Sequence, residues 1–488
     1  MTGSSVARRR LGAILALTAF LVLFLLPLPA LSPEAHRLAA VLGAVVVLWV
    51  SEALPLSATA LLGAALCVVL GVAPARTVFA PFADPLIFLF IGAFILSRGI
   101  FIHHLDRRVA FAVLALPWVG ARPGRILFAL GAATAALSGW ISNTATTAMM
   151  FGIGMSIIAT LRSSEGGREL DPRYASALML MISFAASIGG LATPVGTPPN
   201  VIGIGFIRSL LGEEIPFFQW MLLGAPIAVV LYAVLYLYLR AVAPAGLTVL
   251  PGSAELMRAE RARLGPWTRG QRSVAIAFGV TVVLWIVPGL AALAAGEESA
   301  VYRLLTERMP EGVAAIIGAL LLFVLPGDEG RAITWEDAMR IDWGVVLLYG
   351  GGFALGVLSF QTGLAEVMGR GIAAGMPLEG EFGLMATSVV MAVLLSETTS
   401  NTASANMVVP VVISIAQAAG MDPLQPALAA TLAASLGFML PVSTPCNAIV
   451  YGSGYIPLGR MIRWGLALDL AGIVVILALV SLLGPLVR

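Results

Sequence analysis

The chain has 488 residues, 59% of them hydrophobic and only 11% charged. A soluble protein carries about 25% charged residues, which leaves an all-α polytopic membrane protein as the class to test. A net charge of +2 with no extended basic run gives no reason to expect nucleic acid. Two cysteines (Cys67, Cys446) and three histidines make neither a disulfide framework nor a zinc site.

The N-terminus carries Arg8-Arg9-Arg10 and then an apolar stretch, 11–31. That stretch is too long for a signal peptide and lacks a small-residue cleavage site, so it reads as a first membrane span. Runs at 37–53, 56–73 and 85–102 read as three more. Residues 106–125, dotted with arginine and holding Pro117 and Pro123, read as an interfacial piece. An apolar arm, 126–141, then meets a small polar knot, Ser142-Asn143-Thr144, and a second arm covers 145–161. At about 1.5 Å per residue each arm is roughly 25 Å long, against a hydrocarbon core of roughly 30 Å. Length leaves two readings open, two short spans or a re-entrant hairpin with the knot at its tip.

Residues 174–211 read as a span broken by Thr193-Pro194-Val195-Gly196-Thr197-Pro198-Pro199-Asn200. A span at 218–241, an Arg-rich loop at 242–271 and spans at 272–295, 311–326 and 343–361 follow. A second arm–knot–arm unit covers 382–419, with Ser400-Asn401-Thr402 as its knot. A second broken span, 424–451, holds Leu440-Pro441-Val442-Ser443-Thr444-Pro445-Cys446-Asn447, and a last span runs 464–487.

If the two knot units do not cross, the chain makes eleven crossings. With the N-terminus in the cytoplasm, 21 of the 28 arginines fall on the cytoplasmic side, as the positive-inside rule expects. Arg37, Arg76, Arg208, Arg303, Arg308, Arg370 and Arg488 fall outside, where the C-terminus lies. The first knot unit then starts from the cytoplasmic face and the second from the outer face. Inverted repeats with helices broken at matching places point to a secondary transporter and to its binding site.

The chemistry of the patches agrees. Prolines break a membrane helix and free backbone groups, which survive in hydrocarbon only where something satisfies them. Half-helix N-termini suit an anion. Freed carbonyls with Ser, Thr and Asn oxygens suit a hard cation. Ser138 and Ser396 each lie one helical turn before a knot and aim at the same pocket. In sequence the arginine nearest the first knot is Arg125, and none lies between Gly371 and Gly459. A bound anion would therefore be balanced by N–H groups and co-bound cations rather than by an arginine clamp. Ser, Thr and Gly also serve as packing residues between membrane helices, but chance packing does not explain two matched copies. Glu52 and Asp84, at span ends, read as structural or capping groups. Glu397 reads equally as a site-supporting or a structural acid. No His, Cys pair or acidic pair supplies a catalytic group in the apolar runs, so the chain reads as no enzyme.

At these residues the chain resembles the divalent anion:sodium symporter family of di- and tricarboxylate and sulfate carriers. The paired Ser-Asn-Thr motifs are that family's hallmark. The run Ala434-Ser435-Leu436-Gly437-Phe438-Met439-Leu440-Pro441-Val442-Ser443-Thr444-Pro445-Cys446-Asn447-Ala448-Ile449-Val450 fits its sodium:sulfate symporter pattern at every constrained position. Trp49-Val50-Ser51-Glu52-Ala53-Leu54-Pro55 resembles its early Trp-x-x-Glu-Ala-x-Pro.

The resemblance implies a homodimeric elevator in the cell membrane, among lipid. Scaffold spans would lie mainly in 1–125 and 218–381. The transport domain would lie in 126–217 and 382–463, with a last span in 464–488. It implies one sodium site at Ser138, Ser142, Asn143 and the backbone around Gly196. A second would lie at Ser396, Thr399, Asn401 and the backbone around Ser443. Substrate carboxylates would face Ser142, Asn143, Thr144, Thr197, Ser400, Asn401, Thr402, Thr444 and Pro445. The expected activity is sodium-coupled symport of C4-dicarboxylates such as succinate, with sodium as coupling ion and no other cofactor. The alternative is a sodium-independent exchanger or a citrate or sulfate carrier on the same scaffold.

Overall fold

The computed structural model describes residues 3–163, 171–250, 252–296, 298–375 and 380–487. Arg168 and Arg488, two arginines of the charge count, lie outside the described residues. Among the described residues the chain is helical, with one isolated bridge between Pro326 and Arg331. Helices are what apolar runs of this length must form in hydrocarbon, because each backbone N–H then finds a carbonyl within its own segment.

Helix α1 (Gly3–Leu25) packs on α2 (Pro33–Ser51). The expected first span ran to residue 31, but Pro27 and Pro29 end the helix sooner. Ser32 opens α2 by accepting the N–H of Ala35 at 3.1 Å, and Glu52 closes it in the left-handed region (φ 50°). Next come α3 (Leu56–Val69), the short α4 (Ala75–Phe79) and α5 (Pro85–Ile102). Asp84 caps α5 through the N–H of Leu86 at 2.8 Å and pairs with Arg208. Glu52 and Asp84 are thus both helix-end groups.

The interfacial piece contains α6 (Leu105–Leu114). The first knot unit is a helical hairpin, α7 (Pro123–Ser138) and α8 (Asn143–Ser163). The first broken span is α9 (Pro172–Gly190) and α10 (Pro198–Leu211), followed by α11 (Phe217–Val242). The loop after it holds α12 (Ser253–Arg263). Beyond lie α13 (Arg269–Ala295), α14 (Ala300–Arg308), α15 (Glu311–Val324), α16 (Trp335–Ala338), α17 (Trp343–Gln361) and α18 (Leu364–Gly375). The second hairpin is α19 (Gly380–Thr398) and α20 (Asn401–Ala418). The second broken span is α21 (Leu424–Ala433) and α22 (Pro445–Tyr451), and α23 (Leu458–Leu483) comes last.

Seven helical segments among the described residues are long and apolar enough to cross a membrane: α2, α5, α11, α13, α17, α19 and Leu458–Val487. Six of these are expected crossings, and α19 is an arm of the second knot unit; of the other expected crossings, two rest on the shorter apolar helices α3 and α15. At 14 residues each, these measure about 21 Å, less than the hydrocarbon thickness.

The two halves pack by matching rules. Helix α7 lies on α9 as α19 lies on α21, and α11 lies on α9 as α23 lies on α21. The break helices cross over: α22 packs on α8, and α10 packs on α20. The two hairpins and two breaks therefore form one body. Gly189 shows how close the approach is, since a Cβ there would run into the backbone of Ala135 on α7. Outside this body, α5 packs on α15 and α3 on α17.

Candidate functional site: two hairpin tips and two helix breaks around one cavity

Four helices begin at the same place. The N-termini of α8, α10, α20 and α22, at Asn143, Pro198, Asn401 and Pro445, all line one cavity of ≈ 530 Å³. Each brings unsatisfied N–H groups and the positive end of a helix dipole. Pro198 and Pro445 suit the first helical position because the N–H they lack has no helical partner there. Thr444 caps α22 by accepting the N–H of Asn447 at 3.1 Å. Thr197 occupies the matching place before α10 without that bond.

Of the residues expected from sequence, Ser142, Asn143, Thr144, Gly196, Thr197, Ser400, Asn401, Thr402, Ser443, Thr444 and Pro445 line the cavity. Ser138, Ser396 and Thr399 do not; they are buried behind the tips. Ser138 Oγ is bonded to the side-chain amide of Asn143 at 2.7 Å, and Ser396 Oγ donates to Asn401 Oδ1 at 2.7 Å. The same five-residue step thus ties each tip to the helix before it. Thr399 Oγ1 donates back to Leu395 O at 2.7 Å, which leaves only its lone pairs for a cation.

The first tip packs tightly on the first break. A Cβ on Gly190 would lie 2.6 Å from Asn143 Oδ1, and one on Gly196 would lie 2.5 Å from Gly190 O. The Asn143 amide sits among Ser138 Oγ, Ala186 O and Gly196 O. With Nδ2 turned toward them it donates to all three, at 2.7, 3.1 and 3.1 Å. With Oδ1 turned toward them, four oxygens converge, the all-oxygen shell that a small hard cation takes. At the second tip Ser396 Oγ also reaches Ala434 O at 2.8 Å, and Asn401 Nδ2 reaches Ser435 O at 3.3 Å.

Three groups that sequence reasoning left out of the site hold the breaks in shape. Asn200 Nδ2 donates to Gly190 O at 2.9 Å and to Thr193 O at 2.8 Å. Asn447 Nδ2 donates to Gly437 O at 2.8 Å and to Leu440 O at 2.9 Å. These are the same two offsets, ten and seven residues back, so the alignment of Asn200 with Asn447 was the available signal. The third is Glu397, which accepts from Met439 N at 2.7 Å, Leu440 N at 3.2 Å and Ser443 Oγ at 2.6 Å. It satisfies the N–H groups freed by the second break, and so supports the site.

The opposite wall corrects one expectation. Leu56 and Ser57 of α3, Phe94, Ser97, Arg98 and Phe101 of α5, and Arg340, Ile341 and Asp342 before α17 face the hairpin tips. Two arginines therefore reach the cavity, although none lies near either knot in sequence. Folding brings them there on α5 and on the segment before α17.

A family model described as the sodium:sulfate symporter transmembrane region matches residues 7–487. The chain belongs to that family. This symporter-family chain is 35% identical over 447 residues to the sodium-dependent dicarboxylate transporter SdcS of Staphylococcus saprophyticus, covering 90% of this chain and 84% of the relative. It is 33% identical over 455 residues to the protein of the same name in Staphylococcus aureus, with the same coverage. Among solved structures it resembles the Alcanivorax borkumensis YdaH transporter, with a TM-score of 0.54, 14% identity and 83% and 86% of the two chains covered. It also resembles Neisseria gonorrhoeae MtrF, with a TM-score of 0.51, 14% identity and 82% and 81% covered. At that identity the likeness speaks for the fold alone. The symporter-family fold is thus an all-helical membrane architecture, as the sequence led us to expect.

Proposed function

We propose that the chain is a sodium-coupled symporter of C4-dicarboxylates such as succinate. The observation that carries this reading is the convergence of both Ser-Asn-Thr tips and both Thr-Pro breaks on a single cavity. Its ≈ 530 Å³ volume falls in the range of small-molecule sites. One sodium ion is held by Ser138, Ser142, Asn143 and the carbonyl of Gly196. A second is held by Ser396, Thr399, Asn401 and the backbone beside Ser443. The substrate carboxylates take the hydroxyls and amides of the two motifs, the hydroxyls of Thr197 and Thr444, and the helix N-termini. The names of the Staphylococcus relatives support both the ion and the substrate class.

In this reading the N-terminus is cytoplasmic, the hairpins are re-entrant from opposite faces, and the protein is a homodimer in the cell membrane. The body in 126–217 and 382–463 moves as an elevator against the spans in 1–125 and 218–381. The test is uptake of labelled succinate into proteoliposomes under an inward sodium gradient, compared with an equal potassium gradient. Accumulation with sodium alone is expected. Uptake that ignores sodium and requires internal succinate would replace the reading with exchange. That second reading has one observation in its favour: Arg98 and Arg340 on the cavity wall offer fixed positive charge in place of a co-bound cation.

A further inference from the structure

Arg98 lies inside the apolar run of α5, where a charged side chain is costly and marks a functional place by default. Its guanidinium stays charged and carries five N–H donors. Elsewhere the chain ties its structural arginines firmly. Arg208 is bonded to Asp84, and Arg108 donates to the carbonyls of Leu264, Gly265 and Pro266 at 2.8–3.1 Å. Among the described residues Arg98 makes no such bond. Asp337, its one ion-pair partner among the described residues, has Oδ1 3.7 Å from Nη2, beyond hydrogen-bond reach; the Nε of Arg98 is buried without a partner, as is that of Arg108. The side chain is one third exposed, on the wall that faces the hairpin tips.

We propose that Arg98 is an anion-docking residue at the mouth of the cavity. A substrate carboxylate displaces Asp337 from the guanidinium and is held there on its way to or from the two Ser-Asn-Thr tips. Asp337 is the internal stand-in that keeps the charge balanced between substrates. Arg340, exposed on the same wall, adds to the field that draws anions in. This inference rests on the dicarboxylate reading above.

The test measures succinate transport kinetics in membrane vesicles of both orientations. Loss of one charge-assisted contact predicts that Arg98→Gln raises the KM about tenfold on the side to which the cavity opens. The KM on the other side and the maximal rate should stay within about twofold of wild type. Arg98→Lys, which keeps the charge and loses the fork, should recover part of the affinity. Asp337→Asn, which frees the guanidinium, should lower the same KM. Equal changes on both sides, no change at all, or a raised KM in Asp337→Asn would overturn the proposal and make the pair a structural one. Absence of succinate transport by the wild type would instead overturn the substrate reading.

Discussion

The two helix breaks solve one problem with different chemistry. Each frees backbone groups in the middle of the body, and each is laced by an asparagine that donates to carbonyls ten and seven residues back. The first break is held by neutral groups alone: Asn200, the Thr193 hydroxyl on Gly139 O, and the Asn143 amide. Where the first tip has Gly139, the second has Glu397, three residues before its knot, and that carboxylate takes two N–H groups and a hydroxyl. The second break also completes its asparagine, because Ser183 Oγ donates to Asn447 Oδ1 at 2.6 Å. Asn200 Oδ1 is buried with no partner. The comparison teaches that matching motifs do not make equal halves: the second break has more of its polar groups hydrogen-bonded.

The largest expected effect removes what the halves share. Asn143→Ala and Asn401→Ala should each abolish sodium-stimulated uptake while leaving a folded protein. Normal uptake by purified Asn143→Ala would sink the assignment of the tips. Next, Glu397→Ala should break the second half alone, because it leaves two partly buried N–H groups and a buried hydroxyl without this partner. We expect a loss of about 3 kcal/mol in denaturant unfolding. Glu397→Gln, which keeps an acceptor, should lose less; equal losses would mean that one amide oxygen cannot stand in for the carboxylate.

Asn447→Ala should cost about 1 kcal/mol more than Asn200→Ala, since it strands one more bonded group; the order of their unfolding midpoints reads this directly. The smallest effect comes from Ser183→Ala, which leaves Asn447 Oδ1 as unpartnered as Asn200 Oδ1. A cost of about 1 kcal/mol is expected, and with it a smaller gap between the two asparagine variants. An unchanged gap would show that the Ser183 bond is not what separates the halves.

The knots and breaks were legible in sequence because proline, Ser-Asn-Thr and a fixed spacing recur, and a recurrence needs no tertiary knowledge to be seen. Asn200 and Asn447 close the two proline-bearing patches but carried no role, because their partners are backbone carbonyls freed only once the helices have broken. Glu397 could not be weighed for the same reason: its value depends on where Met439 and Leu440 point their N–H groups. Arg98 was hidden by distance, more than forty residues from the first knot, and only packing of α5 against the body reveals it. The end of α1 was misjudged by reading hydrophobicity past Pro27, where backbone geometry overrides composition.

The amide of Asn143 carries a consequence for turnover. Its two ends are nearly isosteric, so a half-turn about one bond swaps a donor for an acceptor without moving the chain. With Nδ2 inward the surrounding carbonyls are bridged by hydrogen; in the sodium site proposed above, the same half-turn would offer an oxygen to the ion instead. On that proposal an entering ion replaces bonds already made, and its departure lets them form again, so the carbonyls have a partner on both legs of the cycle.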